Sequence, residues 1–343
     1  MDSNAAFILD EYRAMQSQQR RDYRDAISHS QSAAEAARKS GDALGLCRME
    51  FQTGQLQLDL GLIQDAIATC RKLLESEAIK QYPDLESRTR VLLSRIFHND
   101  GQMHDALEVA REATRIPADD LSLDARRSVQ HALVAALAED GDTEAAWAEA
   151  MNLAGMLEGE TSYYDLGVAQ WTIGNVAFMS SRLDEGLAYQ SLAMENLSRL
   201  DNVNLWAQFN KATAHMRLTA GLTGPETAEF VERAEVAFAV AGGKEIDLYE
   251  VRITRAWWEL ASGNPSTAEE LLRPLDKELA GPYPFLQARV LLLLARCFHA
   301  LGRTGEALRS ARQSEGIFIE VGADVFASES RAFIAVLQEA PTS

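Results

Sequence analysis

A column of small side chains returns along this 343-residue chain with a beat of about forty residues. Ala26, Ala66, Ala106, Ala146, Gly186, Ala228, Ala268 and Ala307 stand 40, 40, 40, 40, 42, 40 and 39 residues apart. Five residues ahead of them stand Arg21, Gly61, Gly101, Gly141, Ser181, Thr223, Gly263 and Gly302. Glycine fills five of those eight places although only 21 residues of the chain are glycine, so the pairing is not a by-product of composition. Gly-x-x-x-x-Ala reads as a helix ending on a residue tolerant of positive φ, then a short turn. A second helix follows, whose first inward position must be small for the two to cross closely. The segments LDLGLIQDAIATCRKLL, HNDGQMHDALEVAREA, AEDGDTEAAWAEAMNL, ASGNPSTAEELLRPL and HALGRTGEALRSARQS share this form. Pro265 falls near the start of its second helix, where a missing N–H costs little.

Composition agrees with an all-α array. Eight prolines, no strongly alternating β-branched runs, and apolar spacings of three and four at 105–114 and 267–272 all favour helix. A hydrophobic fraction of 47% and a mean hydropathy of −0.19 fit a folded, water-soluble protein. The 33 basic and 51 acidic residues give a net charge of −18, which predicts no direct binding to nucleic acid or to an anionic membrane. Cys47, Cys70 and Cys297 show no CxxC spacing and read as reduced thiols packed like small apolar residues. The first residues, MDSNAAFILDEYRAMQ, lack the basic and apolar regions of a secretion signal, and the longest apolar run, 290–295, reads as a buried helix face. The expected location is the cytoplasm.

At the Gly-x-x-x-x-Ala segments the sequence resembles the tetratricopeptide (TPR) repeat family. A small residue also recurs twelve positions earlier, at Gly54, Ser94, Gly174 and, counted from the last repeat, Ala295. The resemblance implies a right-handed superhelical TPR-like solenoid of about eight helix-turn-helix repeats, forming one domain over 1–343. The beat exceeds the usual 34, and the roughly six added residues should lengthen the helices by a turn or slightly more in all. HEAT-like repeats share the longer period; the turn favours the tetratricopeptide reading. Glycine interrupts 154–163, and glycine with proline marks 219–226 and 279–285; these read as ordinary inter-repeat loops or, alternatively, as flexible junctions. The last helix, VFASESRAFIAVLQEA, carries Val325, Phe326, Phe333, Ile334 and Leu337, which should cap the final repeat or else form a homodimer contact.

The chain contains no HExxH, GxSxG, Walker GxxxxGK[ST], strand-linked GxGxxG or calcium-loop motif. His98 and His104 flank Asp100 without the spacing of a metal pair on one helix face, so no catalytic residue, metal or cofactor is assigned. A solenoid lines its inner face with first helices, where ligand contacts fall three or four residues apart. Register with the small-residue column places inward Arg88, Arg95, His98, Asn99, His131, Trp171, Asn175, Phe178, Asn210, Arg217, Trp257, Arg289, Arg296 and His299. Against a net charge of −18 the set contains no acid. Arginines offer bidentate donors to carboxylates, asparagines pair with both N–H and C=O of an extended backbone, and Trp and Phe supply apolar pockets; the alternative is that Trp171, Phe178 and Trp257 pack the repeats and the arginines answer acids on neighbouring helices. Ten of these define the expected peptide site: Arg88, Arg95, Asn99, Trp171, Asn175, Phe178, Asn210, Arg217, Trp257 and Arg296.

The segments QWTIGNVAFMSSRLDEGL, LWAQFNKATAHMRLTAGL and ALGRTGEALRSARQSEGIFIEVGAD are similar to the sensor repeats of bacterial peptide-pheromone regulators of the RRNPP class. That resemblance implies quorum sensing through a short peptide held by groove asparagines, for which Asn175 and Asn210 are the matching positions. The helix-turn-helix domain of such regulators is not expected here, since the beat reaches back to Tyr23. The expected function is a non-enzymatic receptor or scaffold that couples a peptide or protein segment to a regulatory partner. Alternatives are a transcriptional regulator or anti-repressor acting by protein docking, and a phosphatase-like effector using Gln16, Gln18, Gln19, Gln52 and Gln55.

Overall fold

The computed structural model describes residues 3–159, 162–197 and 202–339. Among them the regular structure is helical throughout, and no helix is long and apolar enough to cross a membrane. Eight hairpins follow one another. They pair α1 (Ser3–Gln19) with α2 (Tyr23–Ser40), α3 (Ala43–Asp59) with α4 (Ile63–Glu75), α5 (Pro83–Asn99) with α6 (Met103–Ala113), and α7 (Leu123–Asp140) with α8 (Thr143–Met156). Then come α9 (Tyr163–Met179) with α10 (Leu183–Asn196), α11 (Val203–Thr219) with α12 (Pro225–Ala241), α13 (Glu245–Ala261) with α14 (Pro265–Leu279), and α15 (Pro284–Ala300) with α16 (Thr304–Glu320). A single helix, α17 (Asp324–Glu339), ends the series.

Every hairpin turns in the same way. One residue takes a left-handed φ: Arg21 (62°), Gly61 (78°), Gly101 (78°), Gly141 (94°), Ser181 (58°), Gly221 (76°), Gly263 (88°) and Gly302 (74°). The next residue's N–H reaches back five positions, as from Leu62 to the Gln57 carbonyl at 2.8 Å and from Arg182 to the Ala177 carbonyl at 2.8 Å. This closure satisfies carbonyls that the first helix would otherwise leave bare. Seven of the eight left-handed residues are those of the sequence column. In the sixth hairpin the turn residue is Gly221 rather than Thr223, and the enclosed small residue is Thr227, with Ala228 partly open.

Small residues make the crossings. Ala26, Ala66, Ala106, Ala146, Ala268 and Ala307 are enclosed where each second helix begins. On the first helices the residue seven before each turn is small and buried in all eight hairpins: Ala14, Gly54, Ser94, Val134, Gly174, Ala214, Ala256 and Ala295. At Ser94 the hydroxyl donates to the Ala106 carbonyl, 2.8 Å away on the crossing helix.

The chain packs as two compact units, 1–189 and 190–343, dividing inside α10. That division falls at none of the three expected junctions; of the first of these, residues 160 and 161 lie outside the described residues. In the N-terminal unit α3, α5, α7 and α9 pack on one another in succession, as α11, α13 and α15 do in the C-terminal unit, so first helices share a face in each. Apolar cores lie between hairpins. One gathers Leu107, Leu133, Leu153 and Ile173, another Leu272, Leu294, Ile334 and Leu337. The second core shows α17 closing the series through Ile334 and Leu337, while Val325 stands 80% exposed. The run 290–295 is buried throughout, and all three thiols are free and buried.

Candidate functional site

Counting back from each left-handed turn residue defines the face. Seven residues back is the buried crossing position; six back is a neighbour turned by about 100° onto the open side. Those neighbours are Met15, Gln55, Arg95, Ala135, Asn175, His215, Trp257 and Arg296, none of them fully buried. The same count at thirteen back gives Ile8, Arg48, Arg88 and, in the eighth hairpin, Arg289.

In the N-terminal unit this face opens as a trough of about 750 Å³ between α1, α3 and α5. Its apolar lining includes Ile8, Tyr12 and Met15 from the first helix, 65%, 52% and 44% exposed, with Leu44 and Phe51 from α3. Gln18, Gln52 and Gln55 add amides, the Gln52 Nε2 donating to Gln18 Oε1 at 3.3 Å. An ion pair between Arg48 and Glu11 spans the trough's two walls, and Arg88 and Asp84 stand at the α5 side. Asp84 also accepts from the Ser122 backbone N–H at 2.8 Å, and that bond holds its carboxyl below the usual aspartate range. Of the ten expected contacts, only Arg88 lines the trough. The first-repeat residues were missed because the inward set began at Arg88. Arg21, counted back six, nine and thirteen, would have found Met15, Tyr12 and Ile8.

Further along the same unit, Arg95 and Asn99 are exposed on α5 outside the trough. Trp171, Asn175 and Phe178 are half-buried on α9. The Asn175 Oδ1 is buried and accepts no hydrogen bond from the described residues. Phe178 instead serves the hairpin, since its ring packs where Gly186 lacks a side chain. His131 Nε2 and Thr172 Oγ1 stand 2.6 Å apart, and burial holds that imidazole below its ordinary pKa.

In the C-terminal unit two expected contacts are corrected. Asn210 is fully enclosed, its amide donating to the Trp206 carbonyl at 2.6 Å. Arg217 is 7% exposed, paired with Glu226, donating to Thr227 Oγ1 at 3.0 Å and lying over the Phe230 ring. Both were placed by counting from Thr223. The turn lies two residues earlier, and two residues rotate a helix by about 200°, which carries both from the open face into the packing. The positions that belong on the face are Gln208 and His215. Trp257 meets the His215 ring edge-on at 5.2 Å, and Arg296 reaches Glu329 on α17 at 2.6 Å.

The expected acid-free face is corrected as well. His98 faces Glu139 at 3.8 Å, Arg296 is answered by Glu329, and Lys211 by both Asp247 and Glu250, at 2.9 and 2.5 Å. These acids come from the adjoining first helix or, for Glu329, from the closing helix α17, 33 to 41 residues along the chain. A register confined to one helix cannot see them.

No protein-family model and no curated protein sequence matches the chain. Solved structures do. A Rap protein complexed with competence and sporulation factor aligns over 98% of both chains with a TM-score of 0.64 at 11% identity. The apo quorum sensor NprR from B. thuringiensis aligns over 91% of this chain and 88% of its own, with a TM-score of 0.61 at 14% identity. A signal-transduction ATPase with a tetratricopeptide repeat sensor, from Pyrococcus horikoshii, covers 96% of this chain with half of its own, with a TM-score of 0.62 at 13% identity. With the eight like turns and the double column of small residues, this likeness identifies the fold: the chain has the architecture of a tetratricopeptide-repeat protein.

Proposed function

We propose that the protein is a cytoplasmic receptor or scaffold whose first-helix faces hold a peptide or protein segment, and that the guest's presence is passed to a regulatory protein partner. The observation that carries this reading is the trough of the N-terminal unit. Three large apolar side chains on one helix stand 44–65% exposed beside glutamine amides that keep donor and acceptor capacity. An apolar floor with amides that can serve both N–H and C=O suits an extended guest chain. The free Oδ1 of Asn175 adds a buried acceptor that a guest N–H would satisfy. Arg88, Arg95, Asn99 and Trp171 in this unit, and Trp257 and Arg296 in the other, remain the proposed contacts, while Asn210, Arg217 and Phe178 are given to packing.

Selection of random twelve-residue peptides, about that length being enough to span three first helices, tests the reading. Peptides selected on the native protein are measured by isothermal titration against it and against Tyr12→Ser combined with Met15→Ser. Affinity should fall at least about tenfold, a loss of about 1.4 kcal/mol. Equal affinity for both proteins removes the trough from the proposal.

A further inference from the structure

On the first-helix face of the C-terminal unit the charges are shared unequally. Lys211 of α11 holds both Asp247 and Glu250 of α13, and Arg296 of α15 holds Glu329 of α17. Arg289, two turns earlier on the same helix as Arg296, has no carboxylate within ion-pair distance among the described residues. Its Nη2 instead lies 3.4 Å from His215 Nδ1 across the face, and the His215 ring rests against the edge of Trp257. All three side chains are largely enclosed yet keep some solvent contact. The acids that bear on the guanidinium, Glu250 and Glu329, are the two already engaged by other cations.

A guanidinium removed from water without an anion is costly, and a neutral imidazole nitrogen is a poor substitute for a carboxylate. Burial, aided by the positive charges of Arg289 and Lys211, pushes His215 down to about 3, so the ring stays neutral and adds no cation of its own. The cations that bear on the ring are thus Arg289, 3.4 Å away, and Lys211, and of the two only Arg289 is without a carboxylate at ion-pair distance among the described residues.

We propose that the Arg289–His215–Trp257 group is a carboxylate-binding site, in which the guanidinium takes both oxygens of a guest carboxylate while the Trp257 ring covers the carbon chain behind it. The carboxylate is either the C-terminus of a guest peptide or an internal acidic side chain. This proposal rests on the reading of first-helix faces as guest-binding, and it gives the C-terminal unit its ligand class.

The test uses the whole chain with ¹³Cε1-labelled histidine, whose six signals are assigned by single substitutions. Three capped amino acids are titrated. N-acetylglycine carries an α-carboxylate alone, N-acetylglutamate amide a side-chain carboxylate alone, and N-acetylglutamine amide neither. The expected result is a saturable shift of the His215 signal with at least one carboxylate, a dissociation constant on the order of 10 mM or below, and no such shift with the glutamine derivative. Which carboxylate acts identifies its source. Arg289→Gln should weaken binding at least about tenfold, the value of one charge-assisted hydrogen-bonded contact, whereas Arg289→Lys keeps part of it. A His215 shift that is absent, unsaturable, equal for the uncharged probe or unchanged in folded Arg289→Gln overturns the proposal. If that variant does not fold, the comparison of charged and uncharged probes on the native chain decides alone. Single capped residues do not report on the Tyr12–Met15 trough, so failure here and failure of peptide selection there are separate results.

Discussion

The Phe178 ring occupies the space that a side chain at Gly186 would need: a β-carbon built there would lie 2.8 Å from two ring carbons. The fifth hairpin thus exchanges the alanine of six sister crossings for glycine and fills the gap with an aromatic from the first helix. An alanine at a helical glycine normally gains up to about 1 kcal/mol. At Gly186 that gain is opposed by forcing a packed ring aside, which costs about 1–3 kcal/mol. Gly186→Ala should therefore lower stability by up to about 2 kcal/mol in urea unfolding, and adding Phe178→Leu should return most of the loss.

Two turns carry side chains in a conformation that favours glycine. Arg21 at φ 62° and Ser181 at φ 58° stand where five sister turns of the column have glycine. The left-handed region costs a residue with a β-carbon roughly 1–2 kcal/mol, offset partly by glycine's greater freedom when unfolded. Ser181→Gly and Arg21→Gly should each stabilise by about 0.5–1 kcal/mol, seen as a higher urea midpoint with an unchanged slope. Gly141→Ala, at φ 94°, should move the midpoint the other way.

These turns explain what was legible in the residues and what was not. A left-handed turn followed by a tight crossing admits few side chains, so glycine and alanine mark it on the chain and the eight hairpins can be counted. Where composition relaxes, the marking fails. The sixth turn offers Gly221, Thr223 and Gly224 within four residues, and choosing Thr223 shifted the face by two. The ion pairs were hidden for another reason: their partners sit a repeat apart, and only packing brings Lys211 to Asp247 and Glu250. Solvent-facing apolar residues such as Ile8 and Met15 have the same composition as core residues. They were legible only through distance from a turn.

Arg217 now belongs to the core of the sixth hairpin, and its substitution should read as a packing change. Its stem and guanidinium lie against Phe230 and Thr227, while the partner Glu226 is 75% exposed on its side chain. Arg217→Ala should cost about 2–3 kcal/mol through lost packing and a stranded Thr227 hydroxyl. Glu226→Gln should cost under about 1 kcal/mol, as for an ion pair with one open partner. Neither change should alter affinity for trough-selected peptides when measured well below the unfolding midpoint. A peptide that loses tenfold affinity (about 1.4 kcal/mol) in folded Arg217→Ala would restore that residue to the binding face.

Acid should weaken the fold in two stages. His131 and His215 are both held below the ordinary histidine value of 6.5, His131 by burial and His215 by burial with Arg289 and Lys211 nearby. The unfolded chain therefore takes up protons that the folded chain refuses. Stability from these groups is full above pH 6.5 and is lost as pH falls below it, by at most about 1.4 kcal/mol per pH unit for each ring. His98 acts in the opposite sense, since its bond to Glu139 raises it and its contribution is lost as pH rises through its folded value. Asp84, Glu278 and Glu306 are held below their ordinary carboxylate values by the Ser122 N–H, Arg252 and Arg303, and their contributions fade only below about pH 4.5. Urea midpoints of the native chain should thus decline from pH 6.5 toward 5, before these three carboxylates titrate. His215→Gln should flatten that first decline while leaving the second in place. A decline of unchanged slope in His131→Gln combined with His215→Gln would show that these imidazoles accept protons in the folded state, and that their enclosure is looser than the packing against Thr172 and Trp257 requires.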